Sequence, residues 1–405
     1  LPLRIVKSGS DRRRTELPLF KPEHRQLLKV LHPAREEEVS EVLSGLAAFM
    51  EEKISPLSPR FDSLAEKITS ARKSLLENGI CLIPYPSRYG GLELPFSAYT
   101  TAIELAGAAD ASVALSVAIH NTVADGIFLF GSEAQKKTYL PGIISGKKLA
   151  SFSLTEPASG SDAKAVRTTA RRVGREYVLN GTKMFITNAG EADLYFVLSA
   201  TEKGPTSFIV EKSAPGLEFG EDLPKLGMRG SRTSEVRLTD CRTSAENLVG
   251  REGEGFEQVK TMLNSSRIVM GALCVGVAQV AYEKAVTYSK ERRAFGGRIS
   301  DFQLTREKIA DMVTGISAAR LLCLYASRLK EMGLEFSSEA SQAKVFATET
   351  SVRVCDQAIQ IFGGLGYTSE DVHRHWRDAR LLTIGEGTSE VLRMLIASRE
   401  LARSL

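Results

Sequence analysis

Residues 151–190 read SFSLTEPASGSDAKAVRTTARRVGREYVLNGTKMFITNAG, and how this stretch folds decides the architecture. Its β-prone runs, Tyr177-Val178-Leu179 and Met184-Phe185-Ile186, are short and punctuated by Gly, Asn, Pro and Ser. Leu194 to Leu198, Phe208-Ile209-Val210 and the alternating pair Val236 and Leu238 continue the pattern. The gaps between these runs leave no room for crossover helices, so an antiparallel sheet is predicted. Asn180-Gly181 is the strongest short hairpin signal and predicts a turn. Beyond it, Phe185 and Thr187 alternate onto one face. An aromatic beside a hydroxyl suits a planar heterocycle; the same two residues also serve as ordinary sheet filling.

On either side of this region the period turns helical. Val39, Val42, Leu43, Leu46, Phe49 and Met50 recur at helical spacing until Pro56. Residues 60–79 repeat the pattern more weakly, and PYPSRYGG (84–91) reads as a turn-rich loop. Residues 97–128 predict two buried helices broken near Asp110, and 132–140 a further helix ending at Pro141. After Gly255, residues 257–289, 302–330, 338–362 and 388–402 each predict a long helix, and four such helices can bury their apolar faces together. The expected fold is therefore mixed α and β. An arm (1–36) precedes an N-terminal helical domain (37–150), a middle antiparallel β domain (151–252) and a C-terminal four-helix bundle domain (253–405).

At 405 residues, two or three cores are expected. Hydrophobic residues make up 43% and charged residues 25%, a globular balance, and 53 basic against 49 acidic residues give only +4. Lys147-Lys148 and Arg292-Arg293 are isolated basic spots, so no nucleic-acid partner is expected. Cys81, Cys241, Cys274, Cys323 and Cys355 are odd in number, widely spaced and without a CxxC pair. That argues against a disulfide framework or structural zinc, and for a reducing compartment, the cytoplasm or a mitochondrial matrix. His373 and His375 form an HxH pair without a third ligand, so no metal is expected. No unbroken apolar run reaches about 18 residues, so no membrane span is expected. Residues 1–20 carry Arg4, Lys7, Arg12, Arg13 and Arg14 without an apolar run, and read as a loose arm or the remnant of a transit peptide. Neither a GxGxxG fingerprint between strand and helix nor a GxxxxGK[ST] loop is present.

Four further segments carry candidate chemistry. Thr155-Glu156-Pro157-Ala158-Ser159-Gly160-Ser161-Asp162 offers hydroxyls and backbone donors on one turn. Arg292-Arg293-Ala294-Phe295-Gly296, followed by Gln303, places arginines that can bond a diphosphate in parallel pairs. Phe362-Gly363-Gly364-Leu365-Gly366 permits close backbone approach and equally well ends a helix. In Gly385-Glu386-Gly387-Thr388-Ser389-Glu390, Thr388 reads as an N-cap and Glu390 as a first-turn acid. Glu386, between two glycines, is poorly placed for capping. It either stands in water or reaches into a cleft.

Together, in order and spacing, these segments resemble the acyl-CoA dehydrogenase family from about residue 37 to 403. The stretches that carry the resemblance are FSLTEPASGSD (152–162), NGTKMFITNAG (180–190), KLGMRGSRTSEV (225–236), YSKERRAFGGRISDFQ (288–303), QIFGGLGY (360–367) and RDARLLTIGEGTSEVLR (377–393). The resemblance implies FAD as cofactor, α,β-dehydrogenation of an acyl-CoA, a homotetramer built as a dimer of dimers, and electron-transfer flavoprotein as acceptor. It implies Glu386 as the catalytic base. Phe152, Leu154, Thr155 and Ser161 would lie around flavin and thioester, and Phe185 and Thr187 against the isoalloxazine. Arg292, Phe295, Gln303, Gln360 and Gly364 would meet the FAD of the partner subunit, with Thr388 and Glu390 near the adenosine half. Ser161, Asn264, Arg267, Gly385 and Gly387 would contact substrate. The thioester carbonyl would be held by a ribityl hydroxyl and the Glu386 N–H while the carboxylate takes the α-proton.

Three positions depart from the commoner pattern. Gly385 stands where straight-chain members commonly carry tyrosine, which leaves space for a short branched or wider acyl group. Asn264 replaces the usual aspartate. Ser266 occupies the place from which isovaleryl-type enzymes project their base, so Glu386 has no competitor. The rival readings are a same-fold acyl-CoA oxidase or flavin monooxygenase, and a non-catalytic assembly protein. In a glutaryl-type enzyme the 91–98 loop (GLELPFSA) would need a basic partner for a distal carboxylate and has none.

Overall fold

A computed structural model describes residues 18–402. The N-terminal helices are α1 (Pro22–Leu31), α2 (Glu36–Lys53), α3 (Ser58–Asp62), α4 (Thr69–Glu77), α5 (Phe96–Ala109), α6 (Ala111–Phe130) and α7 (Glu133–Ile144). The break at Asp110 is a cap: its carboxylate accepts the Val113 N–H at 2.8 Å, so α6 starts where α5 stops. α7 corrects the expected stop at Pro141. Proline there removes one intrahelical bond, yet the last turn continues because Ile143 and Ile144 are fully buried. α1 corrects part of the arm reading. Leu28 is buried and His24 bonds Glu104 at 2.9 Å, so residues 22–31 are a docked helix, while residues 1–17 lie outside the described residues.

The central sheet contains β1 (Ala150–Ser153), β2 (Thr169–Val173), β3 (Glu176–Thr187), β4 (Leu194–Thr201), β5 (Gly204–Glu211), β6 (Leu217–Phe219), β7 (Thr233–Ser244) and β8 (Leu248–Val249). Its order is β6-β7-β3-β2-β4-β5-β8, with β1 paired to β4. It is antiparallel as expected, except that β1 and β2 run parallel to β4. The long 154–168 connection lets the chain return in the same direction without a helix.

The Asn180-Gly181 hairpin is corrected outright: both residues lie inside β3. The ladder shifts register there; Asn180 grips Asp240 of β7 from both sides, accepting its N–H at 2.8 Å. A side chain at Gly181 (φ +154°) would meet the Thr168 Cα at 2.8 Å. The pair therefore serves a bulge and a close approach, the other use of such residues in a strand.

After a small hairpin, β9 (Arg293–Ala294) and β10 (Gly297–Arg298), which follows α8 (Gly255–Glu291), come α9 (Gln303–Glu331), α10 (Ser337–Phe362), α11 (Gly364–Thr368), α12 (Glu370–Leu381) and α13 (Ser389–Ala402). α10 packs against α8, α9, α12 and α13. α12 was not foreseen. Its charged sequence hides an amphipathic face, with Val372, His375 and Ala379 inward. Arg377 of α12 pairs with Asp62 of α3 and donates to the Leu226 carbonyl at 3.0 Å, joining all three parts of the chain.

Three helices, Ala111–Phe130, Gly255–Glu291 and Gln303–Glu331, have the length and composition to cross a membrane. The expectation of no span rested on unbroken apolar runs, whereas these helices qualify on length and composition. In the first two, 83% and 72% of the most apolar window is buried inside the protein.

Lys183 ties the 155–162 turn to the sheet. Fully buried, it donates to Glu156 at 2.7 Å and to the carbonyls of Leu154 and Leu198 at 3.1 and 2.6 Å. Burial pushes its pKa down to about 8. Replacing Lys183 with Met strands a buried carboxylate, and is expected to lower unfolding free energy by about 3–5 kcal/mol. Adding Glu156→Gln should recover part of that loss; urea denaturation of both variants measures it.

Candidate active site

Glu386 lies in the turn between α12 and α13. Three bonds pin this turn: Gly385 N–H to Leu381 O at 3.0 Å, Ser389 N–H to Thr383 O at 3.0 Å, and Lys344 Nζ to Gly387 O at 2.6 Å. Within it Glu386 takes φ +57° and Gly387 φ +96°. A left-handed glutamate stores roughly 1–3 kcal/mol of strain, sustained here because the turn is held from both sides. Thr388 caps α13 as expected, accepting the Val391 N–H at 3.2 Å, and Glu390 is exposed in its first turn.

The carboxyl of Glu386 faces α8. Its Oε2 is enclosed and has no hydrogen-bond partner among the described residues. Burial pushes the carboxyl above its ordinary range, opposed by the Ser266 hydroxyl and the charges of Arg267 and Lys344. Arg267 is itself buried and donates to Asn264 Oδ1 at 2.8 Å. Ser266 also accepts from Thr122 Oγ1 of α6 at 3.3 Å. Between α6 and α8, Ala118, Thr122, Ser266 and Val269 line a small cavity. Ser266 belongs both to this cavity and to the surroundings of the carboxyl.

Lys344 was not anticipated as a site residue. It is fully buried on α10, and burial pulls its pKa down to about 8. Its signal was faint: one cation on a buried face otherwise made of small residues, Ser337, Ser341, Ala347, Thr348 and Ser351 among them.

The second cluster lies on the sheet. Phe185 takes φ +58° at a register shift and is 65% exposed, while Ile186 is buried and Thr187 half-buried. Phe185 therefore projects outward at a bulge and not from a regular ladder position. Met184 N–H donates to Thr155 O at 2.8 Å and Ser151 Oγ to Thr187 O at 2.6 Å. These bonds set Phe152, Leu154 and Thr155 beside the Phe185–Thr187 strand end. Ser161, farther along the turn, is exposed.

The third cluster is at one end of the bundle. Tyr288 stacks on Phe362 with ring centroids 4.2 Å apart, which gathers Arg292, Gln360 and Gly364. Phe295 (φ +50°) is 98% exposed beside Phe302, just before Gln303. No hydrogen bond or ring contact among the described residues joins this cluster to Phe185 or Thr187.

Three family descriptions match successive parts of the chain: acyl-CoA dehydrogenase, N-terminal domain (residues 36–147), middle domain (151–241) and C-terminal domain (253–401). The chain belongs to the acyl-CoA dehydrogenase family. It is 42% identical over 357 residues to a probable acyl-CoA dehydrogenase, YngJ, of Bacillus subtilis (strain 168), covering 86% of this chain and 94% of that one. Butyryl-CoA dehydrogenase from Megasphaera elsdenii superposes with TM-score 0.88 at 37% identity, covering 90% and 98% of the two chains. A chain of the structure described as "Electron transferring flavoprotein of Acidaminococcus fermentans: Towards a mechanism of flavin-based electron bifurcation" also gives 0.88, at 38% identity over 91% and 98%.

The protein is an FAD-dependent acyl-CoA dehydrogenase. The residues present fit that cofactor. Phe185 offers an exposed ring on a strained, rigid strand, and a Cβ built at Gly363 or Gly364 would meet nothing within 4 Å. On the sheet, an aromatic face beside a hydroxyl accepts a large flat group; in the separate cluster at the end of the bundle, the open glycine edge leaves room for part of such a group.

Lys344 lowers the Glu386 pKa by charge, so its removal raises it. Lys344→Met is expected to move the Glu386 titration to higher pH. The C=O stretch of the protonated carboxyl, in infrared difference spectra against the same variant carrying Glu386→Gln, measures the shift.

Proposed function

We propose that Glu386 is the base that removes the α-proton of the acyl-CoA thioester as the trans-2-enoyl-CoA forms. One observation carries this reading: an enclosed carboxylate oxygen, without a partner among the described residues, on a backbone held in a strained conformation. A thioester α-proton is weakly acidic in water, so the base works only where the developing negative charge is stabilised. No acceptor among the described residues receives the Glu386 N–H. It is free to donate to the thioester carbonyl while Oε2 takes the proton from Cα. The raised carboxyl pKa brings the base toward the proton it abstracts. Arg267 and Lys344 limit that rise by their charge. Bound FAD supplies the acceptor for the hydrogen and electron pair leaving Cβ.

Phe152, Leu154, Thr155, Ser161, Phe185 and Thr187 hold the flavin of their own chain. Arg292, Phe295, Gln303, Gln360 and Gly364 reach the FAD of a partner subunit in a homotetramer, with Thr388 and Glu390 near an adenosine half. Support for assembly comes from α9, where Leu304, Val313, Leu321 and Tyr325 are exposed apolar residues on one helix. Ser161, Asn264, Arg267, Gly385 and Gly387 bound the substrate. Electrons pass to an electron-transfer flavoprotein, supported by likeness to the chain from the Acidaminococcus structure.

Glu386→Gln should retain acyl-CoA binding and slow anaerobic flavin reduction by a factor of ~10² or more; reduction at the wild-type rate would remove Glu386 from the role of base. A Cβ at Gly385 would touch only the Leu381 carbonyl, at 3.8 Å, so the space beside the base is open. Gly385→Tyr is expected to lower kcat/KM for 2-methylbutyryl-CoA more than for butyryl-CoA, in a side-by-side steady-state assay.

A further inference from the structure

The cavity that begins at Ser266 has a polar far end. Asp125 of α6 stands three residues beyond Thr122, about one helical turn or ~5 Å farther along the helix. Its carboxylate pairs with Lys330 of α9 at 3.2 Å, and the same ammonium donates to Ser265 Oγ at 2.6 Å. The ammonium also lies 4.0 Å from the centroid of the Phe96 ring, another wall of the cavity. Asn121 completes this end; its Oδ1 accepts from Tyr85, and no acceptor among the described residues takes its amide hydrogens. Both charged side chains are nearly buried, at 12% and 19% exposure.

A saturated hydrocarbon end pushed against these groups would remove their access to water and return no hydrogen bond, which is unfavourable. A second full charge fares no better. Asp125 and Lys330 already neutralise each other, so a carboxylate or ammonium would enter as an unpaired buried ion. A small neutral group can donate to Asp125 and accept from the Asn121 amide. The geometry points to a short acyl group with a neutral hydrogen-bonding terminus, such as a hydroxyl about four carbons from the thioester, as the substrate class. Asp125 and Asn121, which line the cavity, are its specificity determinants, and Lys330 positions the Asp125 carboxylate. This inference rests on the reading of Glu386, which neighbours the cavity through Ser266, as the base.

The test uses the FAD-containing enzyme. Binding of 4-hydroxybutyryl-CoA, valeryl-CoA (a methyl in place of the hydroxyl) and succinyl-CoA is measured by calorimetry on Glu386→Gln, and anaerobic flavin bleaching by the same compounds on the wild type. The hydroxylated compound is expected to bind about tenfold or more tightly than valeryl-CoA, because a site built around a hydroxyl rejects the analogue that lacks it. Asp125→Leu combined with Lys330→Met, which removes both charges together, should abolish or invert that preference. Equal or tighter binding of valeryl-CoA to the unmodified pocket overturns the inference, and does so even if the double variant does not fold. Tighter binding of succinyl-CoA overturns it in favour of a charged terminus. A preserved hydroxyl preference in the folded double variant overturns the assignment to Asp125 and Lys330. Preferential hydroxyacyl binding with no bleaching by any acyl-CoA supports the pocket inference and rejects the catalytic reading instead.

Discussion

The contact on which the site depends is the one between α5 and α8. A Cβ on Gly276 would lie 2.0 Å from the Glu104 carbonyl, and one on Gly107 would lie 2.4 Å from that of Leu273. The two backbones therefore touch, and only glycine permits it. Glu104 reinforces the crossing from the other side, accepting two bonds from Arg320 of α9 at 2.9 and 2.7 Å and one from His24. Burial would raise the Glu104 carboxyl, but these partners outweigh it and hold the pKa at about 2. This pair is stabilising above the ordinary carboxylate range, and the contribution is lost as pH falls toward that value. With α8 fixed so closely, Asn264, Ser266 and Arg267 are presented to the Glu386 turn, and Thr122 of α6 comes within reach of Ser266.

Two cations, Arg267 and Lys344, act on the Glu386 carboxyl by charge, and Asn264 accepts a hydrogen bond from Arg267. Neither cation forms an ion pair with the carboxylate that would consume its lone pairs; Lys344 instead spends its hydrogen bond on the Gly387 carbonyl. That bond shapes the turn, while the charge acts on the carboxyl through space. The result is a carboxyl whose acidity is set by burial and trimmed by two cations.

Much of the fold was legible in the sequence, for a physical reason. Helical spacing over residues 97–128 and 257–362 reports the faces each helix must bury, and the structure places helices there. Readings failed where one local signal has two structural uses. Asn-Gly serves a hairpin or a bulge, and the partner strand β7 and Thr168 decided for the bulge. Pro141 ends a helix only where the next turn lacks burial to hold it. In α12, charges at every few positions masked a narrow apolar face that only its neighbours reveal. The turn around Glu386 was legible through Thr388 and the flanking glycines, but not its partner Lys344, which comes from a helix more than forty residues away.

By itself the sequence determined the order of helical and strand regions, the residues with chemistry to offer, and, through its resemblance, the family. Periodicity and motif order are properties of the chain, so they survive without knowledge of contacts. Only the tertiary structure decided which side chains meet. It set Ser266, Arg267 and Lys344 around Glu386, brought Asp125 and Lys330 together at the far end of the cavity, and strained Phe185 outward at a bulge. Those arrangements depend on the separation of α5, α6, α8 and α10 to within an ångström or so. Packing sets that separation, and no local pattern encodes it.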